Sequence, residues 1–183
     1  MRITATAWLL ACAIGAAGAL SSPAQAQKSA TRATDGSFAP RHNAAFPGET
    51  KQSTRESKTA AGQAVTTHLR ELKSGDRYYG TAWTPVPSMP PEAAEQAKLL
   101  EVATNEALRT GGPGATVVSK QDVTVNGVPG LAYVIDMPAS NTRLRQQIFL
   151  VTGVLVEQTY TGPAGAETRR EANRFCDSPR LVP

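Results

Sequence analysis

The stretch NGVPGLAYVIDMP, residues 126–138, decides how this chain is expected to fold, because it joins a tight turn to an alternating apolar strand. The dipeptide Asn126-Gly127 lies between the runs ATVVSKQDVTV and LAYVIDM, and Asn-Gly in such a setting is the strongest short-range signal for a β-hairpin. A type I′ turn needs a positive φ at both central residues, which Asn and Gly tolerate. The sequence therefore predicts a two-residue hairpin turn here.

The strand that follows this turn has two different faces. Leu131, Tyr133 and Ile135 alternate with polar or small residues and are predicted to be buried together. Asp136 is on the other face and is predicted to be exposed. Pro129-Gly130 begins the strand, where a bulge or an edge position tolerates the missing N–H of proline. No helix follows these glycines and no Gly-Lys-Ser/Thr ending is present, so the motif is not a phosphate-binding loop.

Upstream of the hairpin, the pattern indicates a meander of strands and then a helix. Residues 38–48 fit a first strand that Phe-Pro-Gly closes, and residues 49–59 are expected to pair with residues 64–73 as a hairpin with one solvated face. RYYGTAWT, residues 77–84, contains residue types that favour a half-buried strand. Residues 90–112 have helical periodicity, early acids and a Gly-Gly stop, which together predict a helix.

Downstream, the same hairpin pattern recurs around Thr152-Gly153, between RLRQQIFLV and VLVEQTYTG. The two arginines that begin the first of these strands, and Gln158 on the second, suggest that the strand ends emerge into water. A last helix is predicted over about residues 166–176. The order of elements predicts an α+β fold, a largely antiparallel β-sheet with two main helices packed on it.

The N-terminus has the features of a secretory signal peptide. Arg2 precedes an apolar run over residues 7–20, and the small-x-small triplet that ends at Ala26 predicts cleavage after that residue. The apolar run is shorter than the roughly 20 residues that a membrane anchor needs. Cys12 lies in a lipobox-like context, but lipidation there would leave an apolar tether, so lipid anchoring is not expected. The protein is therefore expected to be exported to the periplasm or secreted.

Removal of residues 1–26 leaves residues 27–36 as a disordered lead and residues 37–183 as a single domain. Arg2 is the only charge in the leader, so the net charge falls from +4 to +3. No cluster of basic residues interleaved with aromatics is present, which argues against nucleic acid as a partner. The expected partner is an unknown envelope protein or a small ligand, with no stable membrane span after cleavage.

Cys176 is the lone thiol of the mature chain, since Cys12 is lost with the leader. A single cysteine in an exported protein either forms an intermolecular disulfide or is buried. Cys176 follows Phe175 in a helical apolar stripe, which favours burial. His42 and His68 are the two histidines, and neither has the spacing of a metal site. We therefore expect no metal and no cofactor.

The order of these motifs resembles small exported bacterial proteins of the PsbP-like family, whose fold is shared with a Ran-binding nuclear import factor. The resemblance spans roughly residues 37–181, and none of its motifs is catalytic. It implies a sheet sandwiched by helices that serves mainly as a binding or accessory scaffold. The matching pieces are FPG (46–48), RYYGTAWTPVP (77–87), NGVPG (126–130), RLRQQIFLV (143–151), TYTGP (159–163) and ANRFCDSPRL (172–181).

Two functional hypotheses from different classes follow. The first is a non-catalytic periplasmic binding or accessory module, since no catalytic constellation is recognisable. The alternative is a small envelope hydrolase or a thiol-dependent enzyme whose residues converge only in three dimensions, with Cys176 and His68 as the available thiol-imidazole pair. As a contact surface we choose Arg143 and Arg145, which share one strand face and could meet an anionic ligand.

Overall fold

The computed structural model describes residues 44–59, 62–86 and 92–181. Seven strands and two helices are present in this part of the chain, together with two short 3-10 turns at Pro138–Ser140 and Ala166–Thr168. The strands are β1 (Lys51–Lys58), β2 (Ala64–Ser74), β3 (Arg77–Pro85), β4 (Thr116–Val125), β5 (Val128–Met137), β6 (Thr142–Val151) and β7 (Val154–Pro163), and the helices are α1 (Ala93–Thr110) and α2 (Arg170–Cys176).

All seven strands form one antiparallel sheet in the order β1-β2-β3-β7-β6-β5-β4. Helix α1 connects β3, near the middle, to β4 at the far edge, and the remaining connections between neighbouring strands are short. The predicted α+β class and the antiparallel sheet are confirmed.

The two turns that the sequence marks most strongly have the expected geometry. Asn126 and Gly127 have φ of 51° and 81°, and Val125 pairs with Val128 across them. Thr152 and Gly153 likewise have φ of 44° and 80°. Both are therefore two-residue turns with positive φ at each central position, which suits the twist of the flanking strands.

The core lies on both faces of the sheet. On one face Leu100 of α1 is buried with Leu131, Tyr133 and other side chains of β5 and β6. On the opposite face Phe175 and Cys176 of α2 are buried with Tyr79 and Tyr160, which are paired residues of β3 and β7. A third cluster on the α2 face surrounds Leu181, and its other buried members are Val128, Phe149, Val151, Val154 and Val156.

Two Tyr-x-Gly motifs have a packing role. A Cβ added at Gly80 would collide with the hydroxyl of Tyr78, and one added at Gly162 would collide with the hydroxyl of Tyr160. In each case the tyrosine ring leans along its own strand into the space that the missing side chain leaves. The motifs YYG and TYTG therefore need glycine because of this close approach.

Four local predictions require correction. Residues 44–50 are not a strand, because Ala44 packs with the α2 cluster and the Ala45 N–H bonds Ser178 Oγ at 2.8 Å. Pro129 is neither in a bulge nor on an edge strand, since the irregularity lies in β4 between Val117 and Ser119. The last helix is broken, because Arg169 has an extended ψ of 154° between the 3-10 turn and α2. Asp136 is half-buried rather than exposed, because it forms the ion pair with Arg143 described below.

Candidate functional site

A groove crosses the α2 face of the sheet above β4, β5 and β6. Its floor consists of two neighbouring rows of cross-strand partners, whose side chains point to the same face because the ladders are antiparallel and in register. One row is Ser119, Val134 and Arg145, and the other is Gln121, Ala132 and Gln147.

The groove exists because α2 is short. This helix has seven residues and lies over β7 and β6, so the outer strands of this face stay uncovered. Glu167 and Thr168, in the 3-10 turn before α2, form the wall on that side. The groove is open to solvent on one side and has a volume of about 300 Å³, at the lower end of the range for small-molecule sites. Small Ala132 at the centre of the floor keeps this space open.

The two arginines chosen from the sequence lie beside this groove, but they are bound by the protein itself. Arg143 Nε donates to Asp136 Oδ1 at 3.0 Å and Nη1 donates to Glu167 Oε1 at 2.6 Å. Arg145 donates to Asn173 Oδ1 and Asp177 Oδ1, both at 2.6 Å. They therefore connect the sheet to the 3-10 turn and α2. Arg145 also lines the groove.

The interpretation of these strand ends as emerging into water is therefore wrong. The side chains of Arg143 and Arg145 are only 30% and 22% exposed, and Gln158 is 1% exposed. Asp136 is 33% exposed because it pairs with Arg143 across β5 and β6. Polar residues occupy this region because they bind one another beneath α2, which a linear sequence does not reveal.

The ion network keeps Glu167 charged. Burial acts to raise the pKa of Glu167, but hydrogen bonds from Arg143 and from backbone N–H groups outweigh it, and the pKa is lowered. The same contacts with Glu167, and then Asp136, raise the pKa of Arg143. Glu167 and Arg143 therefore both remain charged at neutral pH.

Three acceptor oxygens near the groove are buried without a hydrogen-bond partner among the described residues. They are Gln147 Oε1 on the floor, Glu167 Oε2 in the wall and Gln158 Oε1, which belongs to the cross-strand partner of Gln147. Sequence reasoning missed all three as site residues. The signal in the sequence was a glutamine within each of two predicted strands, Gln147 in β6 and Gln158 in β7.

A second polar cluster lies on the α1 face of the sheet. Tyr133 donates to Gln146 at 2.6 Å, and Gln146 Nε2 donates to Glu157 at 3.0 Å. Nearby, the hydroxyl of Tyr78 donates to Glu71 at 2.7 Å, and burial followed by this carboxylate raises the pKa of Tyr78. Tyr78 therefore stays neutral and acts as a hydrogen-bond donor to the Glu71 carboxylate.

Cys176 and His68 do not come together. Cys176 is 1% exposed in the cluster that contains Tyr79, and burial raises the pKa of its thiol to about 12. His68 stacks on Trp83, with ring centroids 5.5 Å apart. Tyr79 and Trp83 are four residues apart on β3, which separates the two sites by roughly 13 Å along the strand. The predicted burial of Cys176 is confirmed.

Several predicted features lie outside the described residues: the cleavage site at Ala26, Cys12, the lead at 27–36 and His42. Within residues 44–59, 62–86 and 92–181, no group of three or more His, Cys, Asp or Glu side chains is arranged to hold a metal ion. Neither helix of this same part of the chain combines the length and apolarity that a bilayer span requires.

Comparison with known proteins adds little. No protein family profile matches the chain, and no curated protein matches it. A solved structure of a protein of unknown function, PA94 from Pseudomonas aeruginosa, is similar at 14% identity and a TM-score of 0.39, over 55% of this chain and 71% of that one.

Proposed function

We propose that this chain is an exported, non-catalytic binding or accessory module with a PsbP-like sandwich fold, and that the groove above β4–β6 is its ligand site. The observation that carries the proposal is the groove itself, a space of about 300 Å³ whose floor mixes polar and apolar side chains of paired strands. Sites on regular elements are held more precisely than sites on loops. The order of hairpins around α1 supports the sandwich assignment.

The position of the thiol supports a binding role over the enzymatic alternative. A nucleophilic cysteine needs a lowered pKa and access to substrate, whereas Cys176 is buried and its pKa is raised. Its apolar surroundings are those of a core residue. Arg143 and Arg145 act here as positioning groups, since their carboxylate partners hold the wall of the groove in place.

Occupation of the groove is testable with a small-molecule fragment library and backbone NMR of residues 27–183. We expect binders to shift the amide signals of the two floor rows. Ala132→Trp places a large side chain at the centre of the floor and should abolish these shifts, because it fills the space. Thr124→Trp, on the exposed edge strand outside the groove, is the matched control and should leave them unchanged. Binders that shift other regions and ignore Ala132→Trp would refute the proposed site.

Export has its own test. When the full chain is expressed in a bacterium with a general secretion system, mass spectrometry of the extracytoplasmic fraction should find a mature N-terminus at Gln27, after the Ala-Gln-Ala triplet. Ala26→Leu should block cleavage, since the small residue before the cut is required. A lipid-modified mass that starts at Cys12, or an intact chain retained in the cytoplasm, would contradict the proposal.

A further inference from the structure

The groove presents unused acceptors, and this limits the chemistry of its ligand. Gln147 Oε1, Gln158 Oε1 and Glu167 Oε2 each lack a hydrogen-bond partner among the described residues. Leaving a buried acceptor unsatisfied destabilises the fold, so native proteins seldom keep several together without a partner. Glu167 is 6% exposed and carries a charge, which makes its unpaired oxygen more costly than an amide oxygen.

These three oxygens belong to one small region. Gln147 and Gln158 are directly paired on β6 and β7, which places their Cβ atoms about 5 Å apart on the same face. Gln147 and Glu167 both line the groove. The terminal torsions of Gln147 and Glu167 are broad and soft, so a modest rotation turns their oxygens toward a group in the groove, whereas Gln158 is held by its Nε2 bond to Phe175.

The charged donors beside the groove already have partners. Both guanidiniums of the network donate to protein oxygens, and Gln158 Nε2 donates to the backbone carbonyl of Phe175. Thr168 Oγ1 donates to the carbonyl of Gly165. A ligand that brings further acceptors, such as a carboxylate or a phosphate, therefore finds both guanidiniums in use and faces unpaired oxygens.

The net charge beside the groove also favours a cationic ligand. The network of Arg143 and Arg145 contains three carboxylates, those of Asp136, Glu167 and Asp177. Two guanidiniums against three carboxylates leave one negative charge. This reverses the expectation that the arginine pair meets an anionic ligand.

We propose that the groove binds a small organic cation through its primary ammonium group, which donates to Gln147 and Glu167. A primary ammonium has enough N–H donors for both unpaired oxygens that line the groove, and its positive charge offsets the surplus carboxylate. The ammonium belongs either to a free amine or to a lysine side chain of a peptide. This inference rests on the groove being the ligand site.

The test uses n-butylammonium as the probe and n-butyltrimethylammonium as its control, in NMR titrations of residues 27–183. The trimethylated probe keeps the charge but has no N–H donors, so we expect it to bind at least about tenfold more weakly. A lysine-containing peptide and its acetyl-lysine counterpart distinguish a peptide from a free amine. Equal binding of the two butyl probes, or shifts outside the groove, would overturn the assignment.

Variants of Glu167 and Gln147 test whether these side chains accept the hydrogen bonds of the ammonium group. Glu167→Gln removes the charge, and Gln147→Leu removes an acceptor without changing charge, so each should weaken n-butylammonium binding by about tenfold or more. Glu171→Gln makes the same charge change on an exposed residue of α2 and should leave binding unchanged. Retained affinity in both groove variants would refute the proposal, and a thermal melt of each variant verifies folding.

Failure of this inference is distinguishable from failure of the proposed function. If fragments without an ammonium group bind and Ala132→Trp blocks them, the groove is a ligand site and only the ligand class is wrong. If Ala132→Trp affects no ligand, including n-butylammonium, the groove itself is not the site.

Discussion

Phe175→Ala should lower the free energy of unfolding by about 3–5 kcal/mol, the usual cost of deleting a fully buried phenyl ring. Phe175 is 0% exposed. Its ring lies 4.9 Å from that of Phe46 and 5.4 Å from that of Tyr79, centroid to centroid. Because α2 has only seven residues, this side chain supplies much of its attachment to the sheet. Urea unfolding followed by circular dichroism measures the change.

The neighbouring residue supplies the control. Arg174→Ala alters an exposed position of the same helix and should change the free energy of unfolding by no more than about 0.5 kcal/mol. A loss below about 1 kcal/mol for Phe175→Ala would mean that α2 is not anchored through this ring. In that case the wall of the groove, which continues into α2, would need another support.

At alkaline pH the protein should lose stability, and Cys176 should cause the first part of the loss. Burial raises the pKa of its thiol from 9.0 to about 12 in the folded state, while the unfolded chain keeps the ordinary value. Above pH 9 the unfolded state releases this proton and the folded state retains it, so the free energy of unfolding falls as pH rises. By pH 10 the fall from this residue should be about 1.4 kcal/mol, and by pH 12 about 4 kcal/mol.

Cys176→Ala isolates this contribution. The variant should lack the fall between pH 8 and pH 10, because it has no thiol to titrate, whatever its stability at neutral pH. Tyr160→Phe is the matched control: burial raises the pKa of Tyr160 from 10.0 to about 12, so its own contribution begins only above pH 10. Urea unfolding at pH 7, 8, 9 and 10 measures the slopes. Identical slopes for wild type and Cys176→Ala would show that the thiol is not buried in solution.

The local elements could be predicted because their causes lie within a few residues of sequence. Asn126-Gly127 tolerates the two positive φ values that its turn needs, and Gly111 follows the last residue of α1 as the stop signal predicted. The burial of Tyr133 and Cys176 follows from strand and helix periodicity. Strand pairing between neighbours in sequence required only short turns, so the hairpins β4–β5 and β6–β7 could be predicted as well.

The sequence by itself determined the hairpins, helix α1 and the apolar faces, since turn chemistry and periodicity are local properties. Only the tertiary structure decided which partners the polar side chains bind. Arg145 meets Asp177, 32 residues later, and Gln147 comes to line the same groove as Glu167. Whether an arginine is solvated or paired depends on which carboxylate packs above it. This packing depends on the extended residue Arg169, which interrupts the helix, and on how far the short helix α2 reaches over the sheet.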